Sequence, residues 1–291
     1  MDNQVVSDRE LVAEIARQHL PPEIADRWLR LLRPAAVLRH AARGDRAAGV
    51  LGGNPRLPDY AEWPSWDGHG PLSFVAAVDC AALAAVPLDI ALPSSGTLLF
   101  FYFDGRYDNY QATVGYWDPD TSAGARTLYM GPGEHASPRA SPDGIRPYER
   151  VGLAVEPVVT FPALEHPDLQ AAFMAPGEDL RAFLDHPVNG AAFAEALAGR
   201  TAGPRHQVGG YPDPVQGPVE WEVAMAALGG RDPHDSRVAA EQARWTLLAQ
   251  VDTDDRAGMM WGDCGTLYWL ARHEDLARGQ VTNTSFTWQC A

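Results

Sequence analysis

Cys264, in Gly262-Asp263-Cys264-Gly265, is the first candidate nucleophile in this chain. A thiol needs a neighbouring base or a helix N-terminus to lower its pKa. His206, in the corresponding segment of an internal repeat, is the base that the fold would have to bring near. The alternative is structural, since free cysteines are commonly small buried residues. A second set is polar and aromatic: His206, Gln207, Gln216, Gln250, Asp252, Trp261 and Asp263. If the repeat strands lie side by side, these residues line one cleft, where Trp and Gln suit a sugar, a peptide or a base and Asp accepts its N–H or O–H groups. The opposing reading is that Asp and Gln satisfy turn backbones in a Gly- and Pro-rich scaffold.

Other chemistry is excluded by residue type and spacing. All 23 basic residues are Arg, so there is no Lys for a Walker A loop or a Schiff base. Asp252-Thr253-Asp254-Asp255 opens like a calcium loop, but Arg256 and Ala257 stand at the fifth and sixth positions, where an oxygen ligand and Gly are needed. Gly131-Pro132-Gly133-Glu134-His135-Ala136 has dinucleotide spacing, yet Ser137-Pro138 follows where a helix must begin. His273-Glu274-Asp275-Leu276-Ala277 lacks the second His of a zinc-protease helix. The nine His residues show no close pair, so neither a metal nor any other cofactor is expected.

The elements that must position these residues come as a three-part pattern written twice. Gly52-Gly53-Asn54-Pro55, Phe74-Val75-Ala76-Ala77-Val78-Asp79 and Ser95-Gly96-Thr97-Leu98-Leu99-Phe100 form the first copy. Gly209-Gly210-Tyr211-Pro212, Leu247-Leu248-Ala249-Gln250-Val251-Asp252 and Cys264-Gly265-Thr266-Leu267-Tyr268-Trp269 form the second. Each copy is a Gly-Gly turn, an apolar strand ending in Val-Asp, and an aromatic strand opened by Gly-Thr-Leu. Gly supplies backbone angles closed to other residues, and a strand-ending Asp accepts from the N–H groups of the next turn. Before the first copy, Ser7-Asp8-Arg9-Glu10 is a capping box, and Pro21-Pro22 and Pro34 bound two helices.

The expected fold is α+β, internally duplicated, with mainly antiparallel sheets, flanking helices and an N-terminal helical hairpin. The expected divisions are a helical segment at 1–45, a first repeat with a loop-rich insertion at 46–160, a helical connector at 161–205 and a second repeat at 206–291.

Charge narrows the partners. Against the 23 Arg stand 38 acidic residues, for a net charge of -15. Such a surface repels phosphate backbones and anionic lipid, so neither nucleic acid nor membrane is expected. It attracts a basic protein or a cationic ligand. Three cysteines without a CxxC pair, and Met1-Asp2-Asn3-Gln4 with no signal-peptide character, point to the cytoplasm.

The Leu51-Gly52-Gly53-Asn54-Pro55-Arg56-Leu57-Pro58 and His206-Gln207-Val208-Gly209-Gly210-Tyr211-Pro212 segments resemble the YwqG-like family, bacterial proteins of unknown function. Trp261-Gly262-Asp263-Cys264-Gly265-Thr266-Leu267-Tyr268 extends the resemblance. The first copy departs from the family pattern at Ala77, where the pattern has Gln. The resemblance implies a duplicated α+β fold and supplies no activity. It also points to Asp263 and Gly265 rather than to the thiol. Some members are encoded beside toxin systems, which suggests an immunity or toxin-associated role. The leading expectation is a non-enzymatic binding protein facing a basic partner such as a toxin. The alternative is a small polar ligand, bound or transformed in a cleft of the second repeat. There Gln250, Trp261 and Asp263 have no polar or aromatic counterpart at Ala77 and around Ser94-Ser95.

Overall fold

The computed structural model describes residues 7–175, 177, 179–200, 203–229, 232 and 234–291; the reading of Met1-Asp2-Asn3-Gln4 lies outside them. Ser7 accepts from the Glu10 backbone N–H, and the Glu10 carboxylate accepts from the Ser7 N–H, which completes the capping box of α1 (Asp8–His19). Pro22 then starts α2 (Pro22–Leu29). In chain order α3 (Cys80–Leu83), α4 (Pro167–Phe173), α5 (Leu180–Leu184), α6 (Ala191–Ala198), α7 (Val219–Ala227), α8 (Val238–Gln242) and α9 (His273–Ala277) follow. The helical hairpin buries Val12, Ala16 and Trp28 in one cluster with Leu169, Phe183 and Phe193 of α4, α5 and α6.

The strands are β1 (Arg33–His40), β2 (Gly49–Leu51), β3 (Arg56–Pro58), β4 (Ser65–Trp66), β5 (Gly70–Pro71), β6 (Ser73–Asp79), β7 (Thr97–Tyr102), β8 (Ala125–Met130), β9 (Ala136–Pro138), β10 (Val151–Thr160), β11 (Gln207–Val208), β12 (Trp245–Asp252), β13 (Thr266–Arg272) and β14 (Thr284–Gln289). Ten of them form one antiparallel sheet in the order β14-β13-β12-β11-β1-β10-β2-β6-β7-β8. The fold is therefore α+β. The central pair β1–β10 is crossed. β1 runs on to β2 but pairs with β11, and β10 runs on to β11 but pairs with β2.

On either side of that pair the registers match. In one half Val50 opposes Ala77 and Ala77 opposes Leu99. In the other Gln207 opposes Gln250 and Gln250 opposes Tyr268. Asp79–Thr97–Met130 runs parallel to Asp252–Thr266–Gln289 in the same way. Even the irregularity repeats: the register shifts between Phe74 and Ala76, and again between Leu247 and Ala249.

The sheet curls until its edge strands meet, with the Thr127 and Thr284 hydroxyls 3.0 Å apart. The enclosed face carries the aromatic core. Phe100 packs on Trp269 with ring centres 5.0 Å apart, and Tyr102 stacks on Phe286 at 4.9 Å. The outer faces are covered differently. In the second half α7 lies over Leu247, Tyr268 and Leu270. In the first, the Gly-Gly turn runs into β3, which pairs with β9. The stretch from Gly131 to Pro147 is therefore not loop throughout, because Ala136–Pro138 is a strand of that small ladder.

Candidate functional site

The two Val-Asp strands end as their sequence requires. Asp79 caps α3, accepting from the Ala81 N–H at 2.9 Å. Asp252 accepts from the Arg205 and Thr253 N–H groups and from the Thr266 hydroxyl.

The polar set of the second copy holds its own loop. Gln207 donates to the Gly209 and Tyr211 carbonyls. Gln250 accepts from the Asp213 N–H and donates to the Arg205 carbonyl. Tyr268 donates to the Asp213 carbonyl. Gln289 accepts from the Val215 and Gln216 N–H groups and donates to the Gly217 carbonyl and Glu222. Four side chains of one sheet face thus fasten residues 205–217 to it. Buried amides are satisfied this way because an unmade hydrogen bond there costs about 1–3 kcal/mol.

The rest of the sequence-derived set is dispersed. Trp261 is 2% exposed and sits edge-on between Tyr102 and Tyr148 in the core. Asp263 and Cys264 are exposed, and Cys264 has φ +53°. Gln216 and Gln207 line different cavities. Both ring nitrogens of His206 are engaged: Nδ1 accepts from the Asp252 N–H at 3.1 Å, so Nε2 carries the proton toward Asp254 at 3.0 Å. That leaves His206 no lone pair with which to activate a thiol.

His206 does belong to a cluster that spacing alone did not reveal. His40, His206 and Asp254 place their ligand atoms within 4.8 Å of one another, the composition of a metal centre and, among the described residues, the one such trio. Its hydrogen bonding does not fit a metal. His40 Nδ1 accepts from Arg256, and its Nε2 meets Asp254 at 2.5 Å. Both Nε2 atoms therefore carry protons where a metal needs lone pairs. Burial raises the Asp254 carboxyl, but bonds from His206, the Ala257 N–H and His40 outweigh it and hold the group well below the usual carboxylate range. The trio ties β1, the segment before β11 and the loop after β12 together.

At the equivalent positions of the first half-sheet the side chains are apolar: Val50 for Gln207, Ala77 for Gln250, Leu99 for Tyr268, Met130 for Gln289. Among the described residues no side chain of that face hydrogen-bonds the Gly-Gly turn, which is held by the backbone bonds from Gly52 to Val75 and from Gly53 to Tyr148. A cavity of about 730 Å³ remains between sheet and turn, floored by Val50, Phe74, Ala77, Leu99 and Met130. Arg56 and Arg150 flank it. Gly53, at φ +72°, lets the Arg150 stem lie across the turn: a Cβ there would stand 2.9 Å from the Arg150 Cβ. Among the described residues Arg150 makes no ion pair or hydrogen bond, whereas Arg56 donates to the Ala136 carbonyl. Asp79 also lines the cavity, with Oδ1 held by its cap. The nearby Cys80 is no nucleophile, because burial pushes its thiol up to about 11.

The cavity is thus a largely apolar trough on one face of a curled sheet, lined also by two arginines and by Asp79. A family model described as a domain of unknown function (DUF1963) matches residues 50–290. The chain belongs to that family, and the match spans both half-sheets. A search of curated proteins finds no match. No helix among the described residues is long and apolar enough to cross a membrane.

Proposed function

We propose that this protein binds a small amphipathic anion, a carboxylate or phosphate on an apolar body, in the cavity over the first half-sheet. The observation that carries the reading is the replacement of four loop-fastening side chains by Val50, Ala77, Leu99 and Met130, which leaves about 730 Å³ open beneath Arg56 and Arg150. Apolar walls with a few placed polar groups are the usual composition of a ligand site. A guanidinium matches the two oxygens of a carboxylate or phosphate head. Binding rather than catalysis is favoured because the candidate thiol and imidazole are not combined: Cys264 is exposed, while His206 is buried and engaged by Asp252 and Asp254. We also read the matched registers of the two half-sheets as an internal duplication of YwqG-like type.

Calorimetric titration with octanoate and octyl phosphate, beside octanol and octylammonium, tests the proposal. The anions are expected to bind most tightly, and Arg150→Gln is expected to erase their advantage over octanol. Equal binding of all four contradicts the assignment of the head group. Binding of none contradicts the site.

The net charge of -15 supports a second reading, a cytoplasmic immunity protein steered toward a basic toxin. A pulldown from native lysate at low and high salt addresses it; no protein partner under either condition counts against it.

A further inference from the structure

A smaller cavity of about 230 Å³ lies on the second half, between residues 163–166 and the fastened loop. Its chemistry is the reverse of the first. Along the loop, Pro212, Pro214 and Pro218 have no N–H to offer. The N–H groups of Asp213, Val215 and Gln216 already donate to Gln250 and Gln289. The loop backbone along this wall is therefore poor in free N–H groups. Glu220, in the first turn of α7, lines the cavity with its side chain only 6% exposed. Its Oε1 lies 3.6 Å from His166 Nε2, and its Oε2 is buried with no hydrogen-bond partner. His166 cannot turn to serve it better. Its Nδ1 accepts from the Asp168 N–H at 3.1 Å, and its ring packs edge-on against Tyr211. The helix dipole favours a negative charge at this position, and Glu165 adds a second carboxylate to the lining. Glu165, His166 and Glu220 are not among the trios close enough to share a metal ion.

We infer that this cavity is a binding site for an N–H-rich organic cation, an ammonium or guanidinium group whose donors meet the Glu220 carboxylate and the proline carbonyls of the loop. A buried carboxylate oxygen without a donor is costly, and a charged N–H group satisfies it with the stronger, charge-assisted bond. The group arrives either on a free amine or on the side chain of a basic protein. The inference does not depend on the anion site of the first half-sheet.

The test is calorimetry with n-butylguanidinium, n-butylammonium, n-butyrate and an oligo-arginine peptide. The full-length protein is compared with Glu220→Gln, Gln216→Arg and, as an exposed control, Asp67→Asn. The two small cations are expected to bind the wild type and Asp67→Asn alike, and butyrate not at all. Glu220→Gln is expected to weaken binding about tenfold or more, and Gln216→Arg to block it by placing a tethered guanidinium at the mouth. Competition by oligo-arginine assigns the site to a protein side chain; its failure to compete assigns the site to a free amine. If Glu220→Gln does not fold, Gln216→Arg decides alone. The inference is overturned if neither cation binds, if both variants bind like the wild type, or if Asp67→Asn loses as much as Glu220→Gln.

Discussion

Gln250 and Ala77 stand at the same register position of two half-sheets whose ladders match residue for residue, yet they leave opposite surfaces. Around Gln250 the polar side chains turn inward on their own chain and hold residues 205–217 against the sheet. Around Ala77 the apolar ones hold nothing, and the turn stands away over a cavity. The second half also carries the buried contact of His206 with Asp254, where β12 runs on into a loop, whereas β6 runs on into α3 in the first half. Elaboration in polar residues therefore marks the half that is closed, and plainness marks the half that is open.

Five substitutions break or sharpen this comparison. The largest effect is expected from Asp254→Asn, whose single amide oxygen can accept from the two imidazole N–H groups or from the Ala257 N–H, leaving its NH2 facing the other donors. Breaking a buried charged network of this kind costs about 3–5 kcal/mol, read as a lower midpoint in urea at pH 7. The sign with pH follows from the depressed carboxyl. In the wild type this contribution is complete above the unfolded carboxyl value of about 4 and is lost as pH falls through the lower folded value. The variant is expected to lack that part of the acid transition.

Next is Gln289→Met, which gives the second half the residue of the first. It removes partners from two N–H groups, a carbonyl and Glu222, and about 2–4 kcal/mol of stability is expected to go with them. Gln250→Ala is expected to cost somewhat less, and the double variant less than the sum, because both fasten one loop. Ala77→Gln makes the reverse change. It is expected to alter stability by no more than about 1 kcal/mol while abolishing octanoate binding by filling the trough. Arg150→Gln is the mildest, with stability unchanged within about 0.5 kcal/mol and anion affinity about tenfold lower, equivalent to about 1.4 kcal/mol. A thermal melt with and without octanoate separates these last two.

Much of this organisation is written in local pattern. The capping box, the Pro21-Pro22 break between the two helices, the Gly-Gly turns and the strand-ending aspartates are all short-range signals, and each forms the element that its chemistry requires; Pro34 does not end the second helix, which stops at Leu29, but lies inside β1. Long-range pairing is not local. β3 and β9 join segments far apart in the chain, so Ala136–Pro138 reads as loop until its partner is seen. His40 is likewise remote from His206 and Asp254 in sequence, and a search for close His pairs passes over it. The candidate site depends on a subtler point. The contrasts Val50/Gln207, Ala77/Gln250 and Leu99/Tyr268 are visible in an alignment of the two copies, whereas Met130/Gln289 emerges only from the pairing of β8 and β14. Whether a glutamine faces a ligand or its own backbone depends on where the following loop lies, and only the three-dimensional course of residues 205–217 decides that.

The central claim is that the open half is the one that binds the amphipathic anion. An amide-resolved NMR titration of the full-length protein with octanoate tests it most directly. The account predicts saturable shifts at Val50, Ala77, Thr97, Leu99 and Met130, with Gln207, Gln250, Tyr268 and Gln289 unmoved. Shifts concentrated on the second set, or none on the first, contradict it.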